Sequence, residues 1–188
     1  MRFALVALLV ALDLCSKSGV FAYLGSHPAR ALVDDHGHER VQLLGNWFAI
    51  MRSWNPGMAF GLFGDSQAIL VVGRVIAVCV LAWLLLKQNR IQSAAGTALV
   101  MVLAGALGNL YDNLFLGTLG DWLHGEGPLE FGKVRDFIDV YFGVWDWHFA
   151  TFNVADSCIT VGAVLLLFFW GREEQPAADP LPDSLPER

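Results

Sequence analysis

Two aspartates in the last third of the chain sit where carboxyl groups could do acid–base chemistry. One is Asp136, within Val134-Arg135-Asp136-Phe137-Ile138. The other is Asp156, within Phe152-Asn153-Val154-Ala155-Asp156-Ser157 and at the head of a long apolar run. An ionisable group on a membrane helix is costly and by default points to a functional site. Two carboxyls within about 3 Å of each other cannot both ionise easily, so they share a proton. The ionised member can then take a proton from water as it attacks a carbonyl, while the protonated member polarises that carbonyl and helps an amine leave. A bland reading stands beside this one, with Asp156 as a helix cap and Asp136 in a solvated loop. Asp121, Asp139 and Asp146 are rival acids. Asp139, three residues past Asp136, is not separated from it by spacing.

Other polar residues fall into shorter groups. Asp13 and Lys17 are four apart and share a helix face. Asp13 lies about 15 Å along its helix from Phe3 at the usual rise, deep in a bilayer. The pair either holds the first helix in a bundle or contacts substrate. Asn55-Pro56-Gly57 is a turn signal, with Gly57 open to a tight backbone approach. Gly105-Ala106-Leu107-Gly108-Asn109-Leu110-Tyr111-Asp112 combines small residues that permit close helix contact with Asn109 and Asp112 on one face. An interhelical hydrogen-bond clamp is the preferred reading of those two. The five histidines show no metal-ligand spacing, so no zinc site is expected from them. The cysteines Cys15, Cys79 and Cys158 form neither a ligand cluster nor a disulfide framework.

The elements that must position these groups follow from composition. The 188 residues are 55% hydrophobic and 16% charged, with mean hydropathy +0.50. Soluble domains carry about 25% charged residues. Stretches 3–24, 68–86, 94–110 and 154–170 approach the roughly 20 apolar residues that cross a bilayer. The fold class expected is an all-α membrane protein of four transmembrane helices, with a small β-rich extramembrane cradle between helices one and two, where Arg40–Trp54 has strand character. The N-terminal run reads as an uncleaved helix, since Asp13 interrupts it and Leu14 is too large for a cleavage site. Residues 1–172 form one domain that includes outer segments 25–66 and 113–151. Residues 173–188, acidic and rich in proline, are expected to be a disordered tail. Arg2, Lys87, Arg90 and Arg172 flank one side, which places both termini in the cytoplasm. Asn55, Gly57, Asn109, Asp112, Asp136, Asn153 and Asp156 then converge on the opposite face. The net charge of −6 says little about partners, and with no basic stripe to suggest it, no nucleic-acid partner is expected.

These groups, in this order on a four-span plan, resemble the lipoprotein signal peptidase (signal peptidase II) family of bacterial membrane aspartic peptidases. The likeness spans roughly Leu12 to Leu167 and rests on Asp13-Leu14-Cys15-Ser16-Lys17, Asn55-Pro56-Gly57-Met58-Ala59-Phe60, the Gly105–Asp112 segment and the two aspartate motifs. It implies Asp136 and Asp156 as the catalytic pair, with Asp139 outside it. Asp13, Lys17, Asn55, Gly57, Asn109, Asp112, Asn153 and Ala155 would shape the site. It also implies removal of signal peptides from diacylglyceryl-modified prolipoproteins before the lipidated cysteine, contact with membrane lipid and no cofactor. Inhibition by globomycin and an active site toward the periplasmic face of the inner membrane are implied as well. The chain departs from the family pattern at Asn113 and Trp54, where arginine is usual, and 119–133 looks like an insertion that extends an outer lid-like loop. The readings from other classes are a proton- or ion-coupled carrier using Asp13, Lys17 and Asp112, and an inactive structural membrane protein.

Overall fold

A computed structural model describes residues 2–27, 32–33, 39–56, 67–87, 94–125 and 128–169. The long apolar runs are helical because backbone groups in lipid must be satisfied within the segment. Helix α1 is Arg2–Ser26, α2 is Gln67–Lys87 and α3 is Ala94–Phe115. All three are long and apolar enough to cross a membrane. A further apolar helix, α5 (Val154–Phe169, 16 residues), ends the described chain. A short helix, α4 (Leu119–Leu123), lies in the expected insertion. The expected tail, 173–188, and Gly57 lie outside the described residues.

Helix α3 is the spine. It packs against α1, α2 and α5. Two thirds of its apolar window is buried (67%), against 17% for α1 and 11% for α2. Its small residues account for this. A Cβ added at Gly105 would strike the carbonyl oxygen of Ala155, and one at Gly108 would lie 2.5 Å from Asp13 Oδ2. The absence of side chains there lets α5 and α1 close onto α3. Away from the polar end, Val6, Leu85, Leu99, Val100, Leu103 and Ala104 form the apolar core. The outward faces of α1 and α2 expose Leu8, Leu12, Ile69, Ile76 and Trp83, as an apolar solvent would favour.

The β component is larger than the sequence indicates. Strands β1 (Leu32–Val33), β2 (Glu39–Leu44) and β3 (Phe48–Asn55) come from the segment between α1 and α2. Strands β4 (Val134–Phe142) and β5 (Trp147–His148) come from the segment after α3. Together they make one antiparallel five-stranded sheet in the order β1-β2-β3-β4-β5. One expectation is corrected here: the sheet is not confined to the first connection. Asp136 is on a buried strand, so the bland alternative of a solvated loop falls away. The β3–β4 pairing sets Ser53 opposite Asp136 and Asn55 opposite Val134. Helix α3 also runs past Asp112, the expected end, through Asn113 to Phe115. It continues because the polar groups of that last turn are satisfied by partners on β4 and α2, described next.

Candidate active site

Six segments, α1, α2, β3, α3, β4 and the start of α5, deliver polar side chains to one end of the bundle. Helix α5 begins at Val154, and Asn153 is its N-cap. The Asn153 side-chain oxygen accepts from the Asp156 backbone N–H (2.9 Å), and Asp156 Oδ2 accepts from the Asn153 backbone N–H (3.2 Å). This is a reciprocal capping box with Asn and Asp in its two positions. The Ala155 N–H, another donor of that helix end, goes to Asp13 Oδ1 at 2.9 Å. Asp156 therefore does contribute to capping, but its second oxygen faces outward from the cap. That oxygen, Oδ1, accepts from Asn109 Nδ2 at 2.7 Å.

Asp136 reaches the same place from β4. Its Oδ1 accepts from Asn153 Nδ2 (2.6 Å) and its Oδ2 from Asn55 Nδ2 (2.9 Å). Asn153 thus binds both carboxyl groups, one through its side chain and one through its backbone. Asp136 is buried and Asp156 is half-buried. Burial, and next the charge of Asp156, push the Asp136 carboxyl up to about 7, against the opposing pull of its Asn55 and Asn153 hydrogen bonds and of Lys17. A carboxylic acid that holds its proton near neutral pH, next to a second carboxyl, can serve as an acid while its neighbour serves as a base.

A buried charged layer supports this pair. Lys17 Nζ lies 2.7 Å from Asp13 Oδ2 and 3.4 Å from Asp112 Oδ2, and donates to Asn109 Oδ1 at 2.9 Å. Lys17 and Asp112 have no solvent exposure, and Asp13 retains 1%. Asp112 also pairs with Arg135, through Nη2 at 2.8 Å and the backbone N–H at 3.0 Å. The Arg135 guanidinium extends to Ser18 Oγ at 3.0 Å. Of the two sequence readings for Asp13 and Lys17, this burial favours the one in which they hold α1 in the bundle. Asn109 and Asp112 act as the expected clamp, and Asp112 extends it to β4.

Asp139, the rival acid, is engaged elsewhere. It lies 3.0 Å from Arg40 Nη2 and 3.0 Å from His148 Nδ1, tying β2, β4 and β5 together. Asp146 accepts from the Tyr141 hydroxyl at 2.7 Å on the surface. Asp121 lies in α4, which has no buried residue. The structure thus brings together Asp13, Lys17, Asn55, Asn109, Asp112, Asp136, Asn153, Ala155 and Asp156 and leaves Asp121, Asp139 and Asp146 apart.

Sequence reasoning passed over two arginines at this end. Arg135 is the partner of Asp112. Arg74, on α2, hydrogen-bonds through Nη1 to the side-chain oxygen of Asn113. Its signal was available: it is a charge inside an otherwise apolar span, the feature that singled out Asp13 and Lys17. The two departures from the family pattern gain a setting. Asn113 also donates to Gly132 O at 2.7 Å, and Trp54 packs edge-to-face on Phe21 with ring centroids 5.0 Å apart.

Comparison with known proteins decides the family. The profile described as signal peptidase (SPase) II matches residues 5–170. The chain belongs to the signal peptidase II family. It is accordingly an aspartic peptidase of the signal peptidase II type. It is 37% identical over 146 residues to the lipoprotein signal peptidase of Solibacter usitatus, a match covering 75% of this chain and 79% of that one. It is 29% identical over 171 residues to the lipoprotein signal peptidase of a Sulfurihydrogenibium species, covering 86% and 87%. A solved bacterial membrane enzyme superposes with a TM-score of 0.66 at 20% identity, covering 94% of this chain and 93% of that one, and so shares the fold.

Proposed function

We propose that this signal peptidase II family member removes signal peptides from diacylglyceryl-modified prolipoproteins. It cleaves before the lipidated cysteine, with Asp136 and Asp156 as the catalytic pair. The single observation that carries the assignment is Asn153, whose side chain binds Asp136 and whose backbone binds Asp156. That bond pattern ties two acids twenty positions apart in sequence to one point at the end of a membrane bundle.

The mechanism uses one shared proton. Asp136, the more buried acid, carries it, and Asp156 carries the charge. Asp156 takes a proton from a water molecule as the water oxygen attacks the scissile carbonyl carbon. Asp136 donates its proton to the carbonyl oxygen, and a tetrahedral diol forms. Collapse of the diol returns one hydroxyl proton to Asp136. The proton on Asp156 passes to the departing amine nitrogen, so both acids regain their starting states. Asn55, Asn109 and Asn153 hold the two carboxyls in register through this cycle. Asp13, Lys17, Asp112 and Ala155 hold the helices that carry them. Gly57 is proposed as a site residue on the family resemblance alone.

The setting in the membrane belongs to the same proposal. Helices α1, α2, α3 and α5 are the four spans, both termini are cytoplasmic, and the sheet forms a cradle on the periplasmic surface of the inner membrane. Residues 1–172 are the peptidase domain, and 173–188 are a cytoplasmic tail. The substrate enters laterally because its lipid tails remain in the bilayer, and the 119–133 segment modulates that entry. The purified protein should release a signal peptide from a diacylglyceryl-modified precursor and expose the modified cysteine as the new N-terminus. It should leave the unmodified precursor intact, and globomycin should block it. Cleavage at another bond, or equal cleavage of both precursors, would refute this substrate assignment.

A further inference from the structure

Among the cations at the polar end of the bundle, Arg74 is set apart by its pairing. Lys17 and Arg135 are each within salt-bridge distance of a carboxylate. Arg74 has no such partner among the described residues. Its hydrogen bond to Asn113 uses one of five guanidinium donors. It interacts electrostatically with Asp156, Asp136 and Asp112, and among the described residues no hydrogen bond or ion pair joins it to any of them. It is the eighth residue of α2, about 10 Å along the helix from Gln67. Gln67 itself is tied to the Gly132 carbonyl at 2.7 Å, which fixes the outer end of α2. A cation this far into a span, with donors to spare, is expensive unless something polar meets it.

The surroundings indicate what that group is attached to. Among the described residues, Arg74 is the only charged one lining an open cavity of about 540 Å³ between α2, α3 and α5. Leu70, Ala77 and Leu81 line it from the same face of α2, with Ala106 and Ile159 opposite. Ala106 and Ile159 are each one turn from the site, at Asn109 and Asp156 respectively. The cavity therefore offers an apolar trough with a hydrogen-bond donor at one point and the carboxyl pair close by. A hydrocarbon chain that ends in an ester fits this pattern: the chain lies against Leu70, Ala77 and Leu81, and the ester carbonyl oxygen accepts from the guanidinium.

We propose that Arg74, anchored by Asn113, binds a glyceryl ester carbonyl of the lipidated substrate and so helps the enzyme select modified precursors. This rests on the proposed function for the substrate class, and it goes beyond it by assigning a residue to lipid recognition. Arg74 is a specificity residue and takes no part in proton transfer.

Binding and turnover together test it. A fluorescent peptide bearing an S-diacylglyceryl cysteine and its ether-linked analogue, which lacks the ester carbonyls, are titrated against the full-length protein in nanodiscs. The Asp136→Asn background prevents consumption of the probe. Arg74→Gln should weaken the ester probe at least tenfold and change the ether probe less than twofold. Arg74→Lys, which keeps a donor, should recover most of that affinity. In the otherwise native enzyme, Arg74→Gln should raise KM about tenfold, with kcat within threefold and the pH profile unmoved. Equal loss for both probes would overturn the ester assignment, and so would no loss for either. A shifted pH profile with unchanged KM would also overturn it, making Arg74 an electrostatic partner of the carboxyl pair. If the native protein cleaves nothing yet shows the ester-dependent affinity, the peptidase reading falls and this one stands. If it cleaves normally without that dependence, only this one falls.

Discussion

Asp136 is held by two amide donors and surrounded by protein, and burial together with the charge of Asp156 keeps its proton on up to about pH 7. This has two consequences with a definite sign. Activity that needs the shared proton should fall as pH rises through about 7, seen as a descending limb in kcat/KM for the lipidated precursor. The second consequence concerns stability. The folded-state value lies above the ordinary carboxyl value of 3.8, so the folded protein binds the extra proton between those two pH values. The stability contribution of the protonated acid is present below about 4 and is lost as pH rises through about 7. The melting temperature of the native protein should therefore fall between pH 5 and pH 8 more steeply than that of Asp136→Asn. Parallel slopes in detergent thermal melts would show that Asp136 does not titrate in this window. Asp112 is a different case, a buried acid fully consumed by Lys17 and Arg135. Asp112→Ala leaves two buried cations short of a partner and should cost about 3–5 kcal/mol, measured as a loss of folded protein in denaturant titration.

At the scale of elements, the site depends on how closely α5 approaches α3. The contact at Gly105 is backbone against backbone, with the Ala155 carbonyl in the place a Cβ would occupy. Gly105→Ala must push α5 away, and α5 carries Asp156 in its first turn. Cleavage should drop more than tenfold. Gly19→Ala, where an added Cβ meets nothing within 4 Å, should leave it unchanged. A peptidase assay on the two variants side by side separates close approach from a general intolerance of larger residues in helices. How much of this was legible beforehand differs by element. The helices were legible because a bilayer permits few ways to satisfy a backbone, so apolar length alone reveals them. The small residues at 105 and 108 were legible as a contact for a related reason. Strand β4 was not. Arg135, Asp136 and Asp139 look like loop residues until their partners are known, and those partners, Asp112, Asn55 and Arg40, are far away in sequence. The choice between Asp136 and Asp139 depended on the same long-range pairing. Only the family resemblance indicated it from sequence.

At the scale of the whole molecule, the proposed topology sets the carboxyl pair toward the periplasm and the α2–α3 connection toward the cytoplasm. Single cysteines placed at Asp121 and Lys87, in a protein with Cys15, Cys79 and Cys158 replaced by serine, report this directly. A membrane-impermeant thiol reagent added to intact cells should label the first and not the second, and the reverse pattern would invert the topology. The carrier reading is displaced by membership of a peptidase family and by the burial of Asp13, Lys17 and Asp112 in one ion-pair network that also takes in Arg135. In the proposed mechanism two carboxyls joined through Asn153 share the chemistry. The most direct measurement is cleavage of one diacylglyceryl-modified prolipoprotein by the native enzyme, Asp136→Asn and Asp156→Asn, each first shown to be folded. Both variants should lose activity by at least a thousandfold while still binding the precursor. Cleavage at near-native rate by either variant would contradict this mechanism.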